Sequence, residues 1–177
     1  TASTAPTAGD HLTNKTYVDA EIAASGGNTT LFLTPASSTI AQAGTAEIPY
    51  RRFPDAADNW ASVVWSVPAG FTSIVSLKAM WASNATSGNM YAEFKSRLTS
   101  LGDSIFSGGT TDTIAPAAYA TDATAGALEV TDITASVNGL SPTAGDILGI
   151  ETLRLGTSGS DTLSNSVDFI GLEIVYN

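Results

Sequence analysis

Hydrophobic and polar residues alternate along most of the chain from Leu31 onward, which is the pattern of strands with one buried and one exposed face. The alternation is clearest at residues 89–99, where Met90 and Phe94 belong to the apolar set. The other candidate strands are residues 47–53, 63–67, 74–82, 115–120, 127–137, 146–155 and 170–176. About eight short strands separated by turn residues predict an all-β, antiparallel β-sandwich, and a jelly roll is the common eight-stranded form.

The same alternation predicts which side chains form the core. Trp65 and Trp81 alternate with aliphatic residues, so we expect both indole rings to be buried. The inner faces of the strands are expected to include Trp65, Val75, Trp81, Phe94, Ile170, Leu172 and Ile174.

The first 30 residues follow a different pattern. Residues 1–10 are almost all small or polar, which predicts an extended or disordered entry. A short helix is predicted next, between a threonine N-cap and a Gly-Gly stop, with Val18 and Ile22 one helical turn apart. A short helix with so small an apolar stripe is marginally stable alone, so it needs to pack against a partner, either copies of itself or the domain that follows it. The chain therefore divides into an N-terminal junction and a sandwich domain, residues 1–30 and 31–177.

The amino-acid composition argues against several classes of binding partner. The formal net charge is −10, with only seven Lys and Arg residues, so we expect no nucleic-acid partner. There is no cysteine, which excludes disulfides and thiolate metal sites. No apolar run approaches the roughly 18 residues of a membrane helix, and no signal-peptide pattern opens the chain. These features predict a protein made in the cytoplasm without a membrane partner.

Residues that could perform catalysis form no recognisable set. The one histidine, His11, falls in the junction, which argues against a Ser-His-Asp triad. Four carboxylates in or next to predicted loops lack neighbours that mark a catalytic acid pair: Asp103, Asp112, Asp122 and Asp132. Two other acidic pairs lack the ligand spacing of a calcium loop: Asp55 with Asp58, and Asp161 with Asp168. We therefore expect no catalytic residue, no cofactor and no metal.

Aromatic side chains are the better candidates for a binding role, because their faces stack on sugar rings. Trp60 follows two polar residues at the start of a predicted strand, and Tyr119 lies among Ala and Pro residues. We identify these two as candidates for an exposed ligand contact or a subunit interface. The hydroxyl-rich loops at residues 84–89 and 107–113 are expected to lie at one end of the sandwich and to contribute to binding.

One stretch near the start of the chain, residues 6–19, reads PTAGDHLTNKTYVD. It resembles the junction segment of bacteriophage tail-fibre proteins. A looser similarity covers roughly residues 47–177. It rests on the pattern of the Trp65-Ser-Val-Pro-Ala-Gly turn, the strand through Trp81, the Leu128-Glu-Val-Thr-Asp strand, the Pro142-Thr-Ala-Gly-Asp146 turn and the closing strand. These segments resemble a β-sandwich module of phage structural proteins. The resemblance implies a jelly-roll module at the outer end of a virion protein, built as a homotrimer and joined to other virion proteins through its N-terminal segment.

Together these features predict a virion surface protein, a fibre or spike, assembled in the host cytoplasm. It would attach to a host surface glycan without catalysis. One alternative is a capsid decoration or head-fibre protein that stabilises the particle. Another is a carbohydrate-active enzyme or a non-viral lectin.

Overall fold

The computed structural model describes residues 27–35, 50–105 and 107–177, which form two antiparallel β-sheets packed face to face. The strands are β1 (Thr29–Leu33), β2 (Arg51–Phe53), β3 (Asp58–Ser66), β4 (Ile74–Ser83), β5 (Asn89–Thr99), β6 (Thr110–Ala120), β7 (Leu128–Asp132), β8 (Ile147–Leu155) and β9 (Val167–Tyr176). The all-β antiparallel sandwich is therefore confirmed. The predicted helix with Val18 and Ile22 lies outside the described residues.

The two sheets have a regular strand order. Sheet A has the order β1–β9–β4–β7, and β2 also pairs with β9. Sheet B has the order β3–β8–β5–β6. Strand β1 pairs with residues 172–176 of β9 and β2 with residues 167–169, so β1 and β2 follow one another along a single edge. The remaining pairs include three that are nested in the sequence: β3 with β8, β4 with β7, and β5 with β6.

The core lies between the sheets and is built by strict alternation in most strands. Along β5 the residues at every second position are buried, from Met90 to Leu98. Strands β3 and β8 show the same period. The predicted core residues Trp65, Trp81, Phe94 and Ile174 are at most 4% exposed, which confirms their assignment.

Two strands of sheet A depart from strict alternation. An extra residue in β4 shifts its register against β9 between Ile74 and Ser76, and Val75 is exposed. A second shift lies in β9, where Trp81 is opposite Phe169 and Met80 is opposite Gly171. Phe169, rather than the half-buried Ile170, therefore takes the inner position. The predictions that Val75 and Ile170 face the core are wrong, because the extra residue at a bulge reverses which alternate side chains face the core beyond it.

Gly171 occupies this bulge for a steric reason. A Cβ at this position would overlap the carbonyl oxygen of Leu33 and lie 2.9 Å from the ring of Phe32. The bulge coincides with the point where β1 ends along β9 and the β2 pairing takes over. Absence of a side chain thus lets β1 approach β9 closely.

The predicted strand at 127–137 is half strand and half helical turn. Strand β7 ends at Asp132, and residues Thr134–Val137 form a 3₁₀ turn. The Asp132 carboxylate accepts hydrogen bonds from the hydroxyl and backbone N–H of Thr134, at 2.6 and 2.9 Å, which lower its pKa. The Thr134 hydroxyl in turn accepts from the backbone N–H of Leu77 at 2.9 Å, so the turn is fixed against β4.

A buried arginine closes one end of the sandwich. The Arg154 side chain is fully buried, and its Nε and Nη2 each donate to the Asp161 carboxylate at 2.9 Å. The guanidinium also contacts four backbone carbonyls, those of Phe53 and Pro54 at 3.3 Å and of Leu163 and Asn165 at 2.9 Å. Arg154 therefore joins the β2–β3 connection to the β8–β9 loop.

Candidate ligand-binding groove

A shallow groove crosses the outer face of sheet B and encloses about 350 Å³, within the size range of small-ligand sites. Gly149 of β8 forms its floor, between Val64 of β3 and Arg97 of β5 in the strand register. Because Gly149 has no side chain, a ligand can approach the sheet backbone here.

Polar side chains from four strands line the groove. The register places Ser62, Glu151, Lys95 and Thr113 in one row across β3, β8, β5 and β6. The side chains of Ser62, Lys95 and Glu151 point away from the core, because the residues directly before and after each of them in β3, β5 and β8 are buried. The groove therefore presents hydroxyl, ammonium and carboxylate groups on a rigid sheet.

The cations of the groove already have partners. Lys95 Nζ lies 3.0 Å from Glu93 Oε1 on the same strand. Arg97 Nη2 donates to the carbonyl oxygen of Gly108, so the β5–β6 loop holds the guanidinium at the groove. The carbonyl partner leaves Arg97 charged, but Glu93 and Glu151 match Lys95 and Arg97 in number, so the groove has no net charge.

Trp60 lies on the same outer face, in the row next to the groove. It is opposite Leu153 of β8, which is opposite Glu93 of β5. Its side chain is 58% exposed, and it precedes Ser62 by two residues, or about 7 Å along the strand. An exposed indole beside a polar groove is suited to stacking on a sugar ring. Trp60 is therefore exposed, as predicted, and its role as a ligand contact or subunit interface stays a prediction.

Tyr119 occupies a different environment from the one predicted. Its ring packs edge-on against Phe94 with centroids 5.5 Å apart, and it is half-buried against the core. Burial raises the pKa of its hydroxyl. Tyr119 is less exposed than expected, because its position opposite Met90 on β6 turns the ring toward the core; its role as a ligand or subunit contact stays a prediction.

The two loops predicted to act together lie at opposite ends of the sandwich. Residues 84–88 precede β5 and residues 100–109 follow it. Strand β5 has 11 residues, which separates its ends by about 35 Å. One small ligand cannot bridge them, so the sheet face is the stronger candidate for a binding surface.

The candidate carboxylates are bound by backbone and side-chain donors in loops and strands. Asp103, Asp112 and Asp122 accept from backbone N–H groups of Ser100, Gly139 and Thr124, respectively. Asp58 accepts from Thr157, and Asp168 pairs with Arg52 at 2.7 Å. Among the described residues, no group of three or more His, Cys, Asp or Glu side chains is placed to hold a metal.

Another hollow of about 400 Å³ lies at the end of the sandwich where β9 finishes. Phe71, one of its apolar lining residues, packs edge-on against Trp65. The hydroxyls of Thr72 and Ser73 both donate to Asn177 Oδ1 at 2.7 Å. With its aromatic ring and these donors already in use, this hollow is a weaker candidate than the groove.

Sequence reasoning identified Trp60 but missed Gly149, Lys95 and Glu151. Their outward orientation can be read from the period of β5 and β8. Their proximity depends on β8 lying between β3 and β5, and no local sequence feature records that strand order.

No protein-family model matches this chain, and no curated protein matches it. None of the helices in the described ranges is long and apolar enough to cross a membrane.

Proposed function

We propose that this chain is a non-catalytic surface protein of a phage-like virion, a fibre or spike that attaches to a host surface glycan. Exposure of Trp60 beside the Gly149 groove is the observation that carries this proposal. Both features lie on a sheet face whose inner side is fully packed, so the contact groups are pre-positioned. The tail-fibre resemblance of residues 6–19 supplies the virion setting.

We also assign the sandwich to the jelly-roll class. Nested pairing supports this assignment: if β1 and β2 count as one interrupted strand, the pairs are first with eighth, second with seventh, third with sixth and fourth with fifth. A long hairpin rolled up on itself gives this order and closes into two sheets of four.

The proposed assembly is a homotrimer, with Val18 and Ile22 in the oligomerisation helix. Exposed apolar side chains on the outer face of sheet A offer a further subunit contact: Phe32, Leu128 and Val130. Two ion pairs on the same face, Lys78–Glu173 and Arg52–Asp168, are placed to orient a neighbouring subunit. Light scattering is expected to give about three times the chain mass of 18.1 kDa, and a monomer at high micromolar concentration would contradict the trimer.

Attachment and catalysis can be measured separately. Fluorescently labelled protein is expected to bind host cells, and Trp60→Ala should reduce that binding, while Val75→Ala on the opposite sheet should leave it unchanged. Incubation with host surface polysaccharide should release no new reducing ends. Released oligosaccharide would overturn the non-catalytic part of the proposal.

The capsid decoration or head-fibre protein is the second candidate. The exposed apolar side chains of sheet A favour it, since a particle surface could cover them as well as a neighbouring subunit could. Particles that bind the protein tightly while host cells do not bind it would establish this alternative.

A further inference from the structure

The charges around the groove restrict which glycan it can take. Lys95 is paired with Glu93, and Arg97 is held by the Gly108 carbonyl. Glu151 adds a carboxylate directly opposite Lys95. The chain as a whole has a net charge of −10, so its long-range field repels polyanions. The two cations at the groove, Lys95 and Arg97, are thus matched in number by Glu93 and Glu151, so an acidic polysaccharide would meet no net positive charge here.

The hydrogen-bonding groups of the groove match sugar hydroxyls. Ser62 and Thr113 can both donate and accept, Lys95 only donates, and Glu151 only accepts. A hydroxyl group does both, and a ring with neighbouring hydroxyls can satisfy a donor and an acceptor at once. A neutral sugar fits this mixture better than a carboxylate or sulfate group, which only accepts.

The length of the surface sets a lower limit on the ligand. Trp60 precedes Ser62 by about 7 Å along β3, a distance greater than one pyranose ring. Resting on the proposed function, we infer that the groove binds a neutral polysaccharide over at least two sugar units. One unit stacks on Trp60, and the next contacts Lys95 and Glu151 in the adjacent row. Gly149 lies one row further, about 13 Å from Trp60 along the strand direction, where a longer chain passes over it.

Gly149→Val offers a direct test because it fills the groove from its floor. The nearest atom to a Cβ at Gly149 is the Arg97 carbonyl oxygen at 3.9 Å, an ordinary contact, so the fold should tolerate the side chain. Calorimetric titration would use neutral glucan, galactan and mannan oligosaccharides, oligogalacturonate and purified host polysaccharide. We expect a neutral probe to bind, and Trp60→Ala and Gly149→Val each to weaken it by about tenfold or more. Val75→Ala, on sheet A, should change nothing.

The dependence of binding affinity on salt concentration distinguishes neutral from acidic ligands. Binding of a neutral chain should be nearly constant between about 0.05 and 0.5 M NaCl, because no ionic contact is screened. Preferential binding of oligogalacturonate, a steep loss of affinity with salt, or no binding to any neutral probe would overturn the inference. So would full binding by a Gly149→Val protein whose melting temperature is unchanged. Cell attachment that survives both substitutions overturns the groove assignment alone, whereas wild-type protein that attaches to no host cell overturns the proposed function.

Discussion

Arg154 shows how a single residue can organise loops far apart in sequence. Its guanidinium is fully buried, and the partner carboxylate of Asp161 is 2% exposed. The two N–H···O bonds are parallel, and the backbone carbonyls around the guanidinium take up the remaining donors. The charge is tolerated in the core because every direction around it offers an acceptor.

Arg154→Ala is expected to reduce the free energy of unfolding by about 3–5 kcal/mol, since it leaves the buried Asp161 carboxylate without its cationic partner and several buried carbonyls without a donor. Arg52→Ala is the matched control, because the Arg52–Asp168 pair is largely exposed. Its cost should be below about 1 kcal/mol. Urea unfolding monitored by tryptophan fluorescence measures both, and equal losses in the two variants would contradict this role for Arg154.

The environment of Asp161 also indicates how the free energy of unfolding changes in acid. Burial alone would raise the pKa of this carboxyl group, but hydrogen bonds from Arg154 and from the backbone N–H groups of Tyr91 and Leu163 outweigh burial and lower it. The pKa of Asp146 is likewise lowered, mainly by the Thr143 backbone N–H. An aspartate whose pKa is lowered in the folded state stabilises the protein at pH values above its ordinary pKa of about 3.9. That stabilisation is lost as the pH falls through the folded-state pKa.

The free energy of unfolding should therefore be flat from neutral pH to about 5 and decline below about 4. Asp161→Asn should be less stable at neutral pH and show a shallower decline in acid. Denaturant melts at a series of pH values would reveal this, and an unchanged acid profile in Asp161→Asn would refute the assignment.

At the scale of the strands, a regular alternation of buried and exposed residues can be predicted from the sequence, whereas a bulge cannot. Strand β5 could be predicted residue by residue because no insertion interrupts it. In β4 and β9 one additional residue moves Val75 and Ile170 off the inner face. A bulge is specified by contacts with the neighbouring strand, here β1 against Gly171, and these contacts are distant in sequence.

Gly171→Ala tests that contact. The added Cβ meets the backbone of Leu33, which cannot move without displacing β1, and we expect a loss of about 1–3 kcal/mol. Gly149→Ala is the control within the same fold, because its Cβ meets only the Arg97 carbonyl oxygen at 3.9 Å, an ordinary contact. It should be neutral or stabilise the protein by up to about 1 kcal/mol. Similar melting temperatures for the two variants would show that the approach of β1 to Gly171 is unimportant.

The N-terminal junction can be tested as an element in its own right. Strand β1 begins at Thr29 and pairs with β9 along its whole length. Removing residues 1–27 should therefore leave both sheets folded while weakening the proposed trimer. Circular dichroism and light scattering on the truncated chain measure the two effects. Loss of the β-sheet signal would mean that the junction belongs to the core of the sandwich.

At the scale of the whole molecule, fold class followed from strand spacing and turn residues, and the core from alternation. The groove could not be predicted in this way. It exists because β8 lies between β3 and β5, which brings Trp60, Gly149 and Lys95 together from three separate strands. Three-fold presentation of such a site could raise avidity by about 10² or more over a single weak contact.

Electron cryomicroscopy of the particles formed alongside this protein in its native host tests the central claim most directly. We expect density for three copies at the particle surface, attached through residues 1–30, with the outer face of sheet B turned to solvent. Particles that lack the chain, or that enclose it with the groove covered, would contradict it.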